Sequence, residues 1–146
     1  MMNSVTEALQ QLEKEFDGEL RIDSVARKLY STDASVYQEL PLAVAIPRSE
    51  SDIQKLIVLA RNCGTSLIPR TAGTSLSGQV VGNGIVVDVS RYFTRILEIN
   101  AQEGWVRVQP GVIRNELNRE LAKHGMLFGP ETSTQNRAMV GGMVGN

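Results

Sequence analysis

The stretch Pro69 to Gln79, Pro-Arg-Thr-Ala-Gly-Thr-Ser-Leu-Ser-Gly-Gln, constrains the fold of this chain more than any other. The short apolar run Ser66-Leu67-Ile68 leads into it, and Gly84 to Val89 follows it; both flanks read as strands. Between them lie two glycines, Gly73 and Gly78, and four hydroxyl residues, Thr71, Thr74, Ser75 and Ser77, with no acidic side chain. Glycine accepts positive φ, so successive N–H groups can converge on one concave spot. The hydroxyls add donors and Arg70 adds a fixed positive charge. That combination suits an anionic ligand, most simply a phosphate or pyrophosphate. Charge-assisted N–H bonds are worth roughly 1.5–3 kcal/mol each, so three or four could hold a pyrophosphate once the ordering cost of binding is subtracted. The competing reading is a plain Gly/Ser connector between strands.

Two familiar phosphate loops are excluded. Gly73 and Gly78 have the spacing of a P-loop, but Gln79-Val80 stands where Lys-Ser/Thr is required. No G-x-G-x-x-G opens a helix, and Gly82-Asn83-Gly84 leads into a strand and reads as a turn.

Upstream, Leu42 to Ile46 is a short apolar run ended by Pro47 and reads as a buried strand. Ser49-Glu-Ser-Asp52 resembles a capping box with Asp in place of Glu or Gln. Ile53, Leu56, Ile57 and Ala60 then follow at helical spacing, and Gly64 closes the helix. Strand, helix and strand Leu67 to Pro69 make a βαβ unit, which predicts parallel strands with a right-handed crossover. The Pro69–Gln79 loop then leaves the carboxyl end of a parallel strand, where open α/β sheets bind ligands.

The flanks are read in the same way. Val5, Ala8, Leu9, Leu12 and Phe16 lie on one helical face, with Gly18 as a stop. Asp23 to Leu29 predicts a short helix capped by Asp23 or Ser24, and Ser31 to Tyr37 a loop in which Asp33 is a turn or cap residue. Ile85 to Val89 is a third strand. Ile96–Asn100 and Trp105–Gln109 bracket Ala101-Gln-Glu-Gly104 as a hairpin. Ile113, Leu117 and Leu121 mark a last helix closed by Gly125. The remainder is polar and glycine-rich, and no repeat or low-complexity tract occurs.

Composition narrows the class. The 146 residues suffice for one domain with a core, and 15 basic against 16 acidic residues give no general nucleic-acid surface. The single cysteine, Cys63, precludes an internal disulfide and suits a reducing compartment. No apolar run reaches membrane-spanning length and no signal-peptide pattern opens the chain, so a cytoplasmic location is expected. The single histidine, His124, reads as a helix-end residue satisfying the last carbonyls. Cys63 reads as a small core residue, and Trp105 and Phe128 as packing. Arg137 reads as a solvated surface residue. No Cys/His cluster suggests a metal.

The loop resembles, in order and in detail, the pyrophosphate-binding loop of FAD-linked oxidases of the vanillyl-alcohol oxidase and p-cresol methylhydroxylase type. The resemblance runs from about Tyr30 to the end. It includes Tyr30-Ser-Thr-Asp33, Ala43-Val-Ala-Ile-Pro47, the loop itself, Phe128-Gly-Pro-Glu-Thr-Ser133 and Asn136-Arg-Ala-Met-Val-Gly-Gly-Met-Val-Gly-Asn146. The branch it is most similar to comprises the D-lactate, glycolate and D-2-hydroxyglutarate dehydrogenases. The resemblance implies an α/β fold: a parallel βαβ subdomain, then part of a second subdomain with antiparallel strands, the FAD lying between them. Residues 1–37 would be a helical segment, and residues 38–146 the N-terminal part of an incomplete FAD-binding domain. The chain thus reads as a fragment, binding FAD weakly or not at all by itself and inactive alone.

The resemblance also implies the cofactor-binding set: Pro69, Arg70, Thr71, Ala72, Gly73, Thr74, Ser75, Leu76, Ser77, Gly78 and Gln79 around the pyrophosphate, with Thr71 to Ser77 wrapping it mainly through backbone N–H groups. Pro130, Glu131, Thr132, Ser133 and Asn136 would pass beside the flavin, with Gly141, Gly142, Gly145 and Asn146. The alternative for this second set is a frayed tail. Some relatives attach FAD covalently through a loop histidine; this loop has none, so noncovalent binding is expected. The implied activity is oxidation of a D-2-hydroxy acid, a small-molecule substrate. No catalytic residue and no metal are assigned, and the electron acceptor, an iron–sulfur module and peripheral membrane contact belong to regions beyond this sequence. Two alternatives are an enzyme similar to the flavin-dependent UDP-N-acetylenolpyruvoylglucosamine reductase and a noncatalytic nucleotide-binding or assembly module.

Overall fold

A computed structural model describes residues 2–145. The elements in chain order are α1 (Met2–Glu13), β1 (Glu19–Arg21), α2 (Ser24–Leu29), β2 (Ala43–Ile46), α3 (Glu50–Cys63), β3 (Leu67–Arg70), β4 (Ile85–Asp88), β5 (Ile96–Asn100), β6 (Trp105–Val108), α4 (Arg114–Ala122) and α5 (Val140–Gly145). Four strands form one sheet in the order β1-β2-β4-β3, and β5 and β6 form a separate antiparallel pair. The two central strands, β2 and β4, are buried at every position, which is why both read as apolar runs rather than alternating patterns, β4 closing on the buried Asp88. Pro69 lies in β3, an edge strand, where a residue without an N–H costs no ladder bond on the open side.

The expected βαβ unit is present with one difference. β2 and β3 are parallel, but they are not neighbours: β4 enters between them and pairs in parallel with both, Val44 and Ile68 each opposite Val86. A crossover helix joins strands of one sheet without making them adjacent, and β4 takes an interior place beside β2. β1, which the periodicity does not show, adds antiparallel to β2. It has three residues and one buried side chain, Leu20, too little for a pattern. Through β1 and α1 the segment before residue 38 shares the sheet's core: Val5, Leu9, Phe16 and Leu20 pack with Ala43, Ala45, Leu56, Leu59, Ile85 and Val87.

The Ser49–Asp52 signature caps α3, but only half of it behaves as a capping box. Ser49 Oγ accepts from Asp52 N at 3.2 Å. The Asp52 carboxylate, fully buried, accepts instead from the backbone N–H groups of Asp17 (3.0 Å), Gly18 (3.1 Å) and Arg48 (2.9 Å). It thereby ties the end of β2 and the turn before β1 to the first turn of α3. Gly18 lies against the Ile46 carbonyl with no room for a Cβ. Because Asp52 faces inward, the buried face of α3 runs through Asp52, Leu56, Leu59 and Ala60, and Ile57, placed in the stripe by spacing, is exposed. α3 ends at Gly64 in the left-handed region, as expected.

The hairpin β5–β6 and α4 form the second, smaller layer, with Val112, Leu117 and Leu121 at its centre and Ile96, Ile99, Val106, Val108, Met126, Phe128 and Val140 around them. The glycine-rich end is a helix, α5, rather than a frayed tail. Its start is fixed by Val140 N to Val112 O (2.9 Å) and Gly141 N to Pro110 O (2.8 Å), partners supplied by the turn after β6. Three of its six residues are glycine, so tertiary bonding overrides propensity here. Asn146 lies outside the described residues. No helix among the described residues is long and apolar enough to cross a membrane.

Candidate functional site

The carboxyl ends of the parallel strands β3 and β4 lie at the same end of the sheet, and the loop begins where β3 ends. Gly73 (φ 65°) and Gly78 (φ 71°) are both left-handed, so the chain turns twice within the loop. The result is a run of open donors among the described residues: the backbone N–H groups of Thr71, Ala72, Gly73, Thr74, Ser75, Leu76 and Gly78 donate to none of them. The tip is shaped by Ser75, whose Oγ accepts from Ser77 N (3.1 Å) and Gln79 N (3.4 Å) and donates to Gln79 Oε1 (2.8 Å). Ser75 and Gln79 thus brace the loop internally, while Leu76 projects into solvent.

Arg70 does not simply extend into the loop's concavity. Its Nη1 donates to Thr32 O at 2.7 Å, and its guanidinium lies 5.1 Å from the Tyr30 ring centroid. A Cβ on Gly73 would stand 2.6 Å from Arg70 Nη2, so the charge is seated directly under the Gly73 turn. Tyr30 in turn donates to Asp88 Oδ2 at 2.6 Å, and Asp88 Oδ1 accepts from Ser90 N at 2.8 Å. Burial, then the Asp88 carboxylate, push the Tyr30 phenol well above its ordinary range, so it remains a donor. Tyr37 covers the other turn: a Cβ on Gly78 would meet its ring at 2.7 Å. The Tyr30–Tyr37 segment is therefore the floor of the loop. Asp33 makes a turn there, accepting from Ser35 N (2.8 Å), while its Oδ2 is buried without a partner among the described residues.

The second predicted segment is held by α4. Pro130 O accepts from buried Arg114, and Gln135 N closes a turn on Thr132 O. Glu131, Thr132, Ser133 and Gln135 line a polar recess of about 300 Å³. Asn136 is exposed and accepts from Arg137 at 3.4 Å. Gly141 packs against Pro110, where a Cβ would stand 2.5 Å from the proline Cβ, and Gly142 faces Thr71, where a Cβ would stand 2.9 Å from the threonine Oγ1. The two segments meet at that last contact, where the first residue of the loop touches α5. Gly145 is exposed at the end of α5. His124 and Cys63 stand apart from both segments, His124 after α4 and Cys63 at the end of α3 against the core. Among the described residues no group of His, Cys, Asp or Glu is placed to hold a metal ion.

Sequence reasoning missed Arg114, Asn118, Tyr30 and Asp88. Only Asp88 carried a signal, a charge inside the apolar run Ile85 to Val89. The other three act through partners 10 to 58 positions away, which spacing does not show.

Residues 41–146 match the family model described as FAD binding domain. D-2-hydroxyglutarate dehydrogenase of Escherichia coli is 46% identical over 140 residues, covering 93% of this chain and 14% of that protein. The mitochondrial cytochrome-type D-lactate dehydrogenase of Kluyveromyces lactis is 30% identical, covering 86% of this chain and 22% of that protein. The chain therefore spans about a seventh to a fifth of the length of these relatives. Among solved structures, an alkyldihydroxyacetonephosphate synthase superposes with a TM-score of 0.80 at 21% identity, over 94% of this chain and 28% of that one. At that identity the likeness is one of fold.

Proposed function

Since the chain belongs to the FAD binding domain family, we propose that it forms the pyrophosphate side of the FAD site of a flavoenzyme that oxidises a D-2-hydroxy acid. The run of unpartnered amides from Thr71 to Leu76, with Gly78, carries this reading. The residues fit the group: two glycines in the left-handed region curve the loop, no carboxylate lies in it, and the Arg70 charge sits beneath the turn. Thr71 to Leu76 and Gly78 would hold the diphosphate through N–H groups, and Gly142, lacking a side chain, leaves Thr71 open to the same ligand. Pro130 to Ser133 and the neighbouring recess would take the ring-bearing part. When bound, FAD supplies the two-electron acceptor for conversion of the hydroxy acid to the 2-oxo acid.

What this chain contributes is binding and orientation. Arg70 keeps the loop curled by gripping Thr32 O, and Tyr30 and Asp88 lock the floor under it. Neither the loop nor residues 129–145 contain histidine, cysteine or tyrosine, which supports noncovalent attachment. Among hydroxy acids, D-2-hydroxyglutarate is favoured over D-lactate, because the relative so named is 46% identical against 30%.

The test is Ala72→Asp in the whole protein that carries this domain, a loop position outside the left-handed region, where a side chain brings no backbone strain. A carboxylate in the turn adds a negative charge against the diphosphate, so the variant should lose its flavin colour while remaining folded. Retention of FAD at wild-type affinity would remove the loop from the site.

A further inference from the structure

We propose that Arg114 is the positioning residue of the Pro130–Gln135 loop, the part of the site assigned above to the flavin ring; the ligand half of this inference rests on that assignment. Arg114 is the first residue of α4 and only 5% exposed. Its Nε donates to Pro130 O at 2.7 Å and its Nη1 to Gln135 Oε1 at 2.7 Å, with Asn115 Oδ1 at 3.5 Å. The nearest carboxylate, Glu131, is 3.9 Å from Nη2 and its side chain is 88% exposed. Every close partner of this buried cation is therefore neutral.

That arrangement does not serve the helix. A cation at a helix N-terminus opposes the dipole, and a buried charge without a close counterion is costly. What it does serve is the loop. Ile113, the N-cap, makes no side-chain capping bond. The first two amides of α4 donate instead to the loop, Arg114 N to Ala138 O (3.0 Å) and Asn115 N to Gln135 O (3.2 Å). One turn on, Asn118 both donates to Phe128 O (3.3 Å) and accepts from Phe128 N (2.8 Å). The helix end and the loop cap each other. The guanidinium fork reaches both ends of the recess at once, and an ammonium cannot reproduce two bonds in fixed directions. Glu131, Thr132 and Ser133 lie between the two residues that Arg114 holds, Pro130 and Gln135.

The experiment pairs two readouts. In the whole protein, Arg114→Lys and Gln135→Ala should speed exchange of the hydrogen-bonded amides within 129–138, those of Gln135, Arg137 and Ala138, by tenfold or more, with the amides of β2 and β4 unaffected. Gln135→Ala removes one acceptor of the guanidinium without touching α4, so it decides the matter even if the Arg114 variant folds poorly. Unchanged protection of 129–138 in Gln135→Ala overturns the proposal. In the whole protein, Arg114→Lys should also change the shape of the bound flavin's visible band and weaken FAD about tenfold; Arg114 does not line the recess, whereas Gln135 does, so the arginine variant carries this readout. A role confined to stability would leave that band unmoved, and such a result overturns the positioning of the ligand. Wild-type protein that binds no FAD would sink the functional reading instead, and the exchange data would still decide Arg114's hold on the loop.

Discussion

Replacing Gly73 by alanine should destabilise the chain through two separable effects. Gly73 has φ 65°, and an L-residue in the left-handed region costs roughly 1–2 kcal/mol. The new Cβ would also stand 2.6 Å from Arg70 Nη2. That atom is the end of a flexible side chain, so the guanidinium can move aside, but moving it breaks the 2.7 Å bond from Nη1 to Thr32 O. A hydrogen bond from a charged donor is worth roughly 1.5–3 kcal/mol, so the total is about 2.5–5 kcal/mol. Gly104 is the internal control: its φ is 73° but nothing lies within 4 Å of its missing Cβ, so Gly104→Ala carries the backbone cost alone. Urea unfolding of both variants in the 146-residue chain measures the difference. In an Arg70→Ala background, where the bond is already gone, the excess cost of Gly73→Ala should vanish. If Gly73→Ala costs no more than Gly104→Ala, Arg70 does not brace the loop and its place beneath the turn has another reason.

Two further outcomes follow from buried polar groups. Asp52→Asn leaves one oxygen to serve three N–H donors and turns an amide N–H₂ against one of them, for a loss of roughly 2–4 kcal/mol; a melting temperature within a degree of wild type would show that those donors find other acceptors. Tyr30, whose phenol is raised by burial and by Asp88, keeps its proton in the folded state when the unfolded chain has lost it. Its contribution to stability is complete below the ordinary phenol value of about 10 and is lost as pH rises through the folded value. Ultraviolet titration of tyrosinate should therefore show a late alkaline step that Tyr30→Phe lacks, and an identical titration curve in that variant argues against the Tyr30–Asp88 bond.

The exposed and buried faces explain which features the sequence carried openly. Strands β2 and β4 were plain because central parallel strands are apolar on both faces, and Gly64 and Ser49 marked the ends of α3 because cap chemistry is local. The Pro69–Gln79 loop was equally legible, since glycine spacing, hydroxyls and missing carboxylates are properties of adjacent residues. The strand order was not, because nothing local to β4 says that it enters between β2 and β3. Nor was the inward turn of Asp52, whose partners Asp17 and Gly18 are 35 and 34 positions away.

The amino-acid sequence alone, then, determined a parallel α/β frame and a donor-rich loop at a strand's carboxyl end. Both follow from short-range chemistry: side-chain period, capping and the freedom of glycine. Tertiary structure decided what holds that loop and what faces it. Arg70 was turned under Gly73 toward Thr32, Arg114 was buried beneath Pro130, and three glycines were wound into a helix beside Thr71. These depend on acceptors and close approaches supplied by distant segments, which exist only once the chain has folded around them.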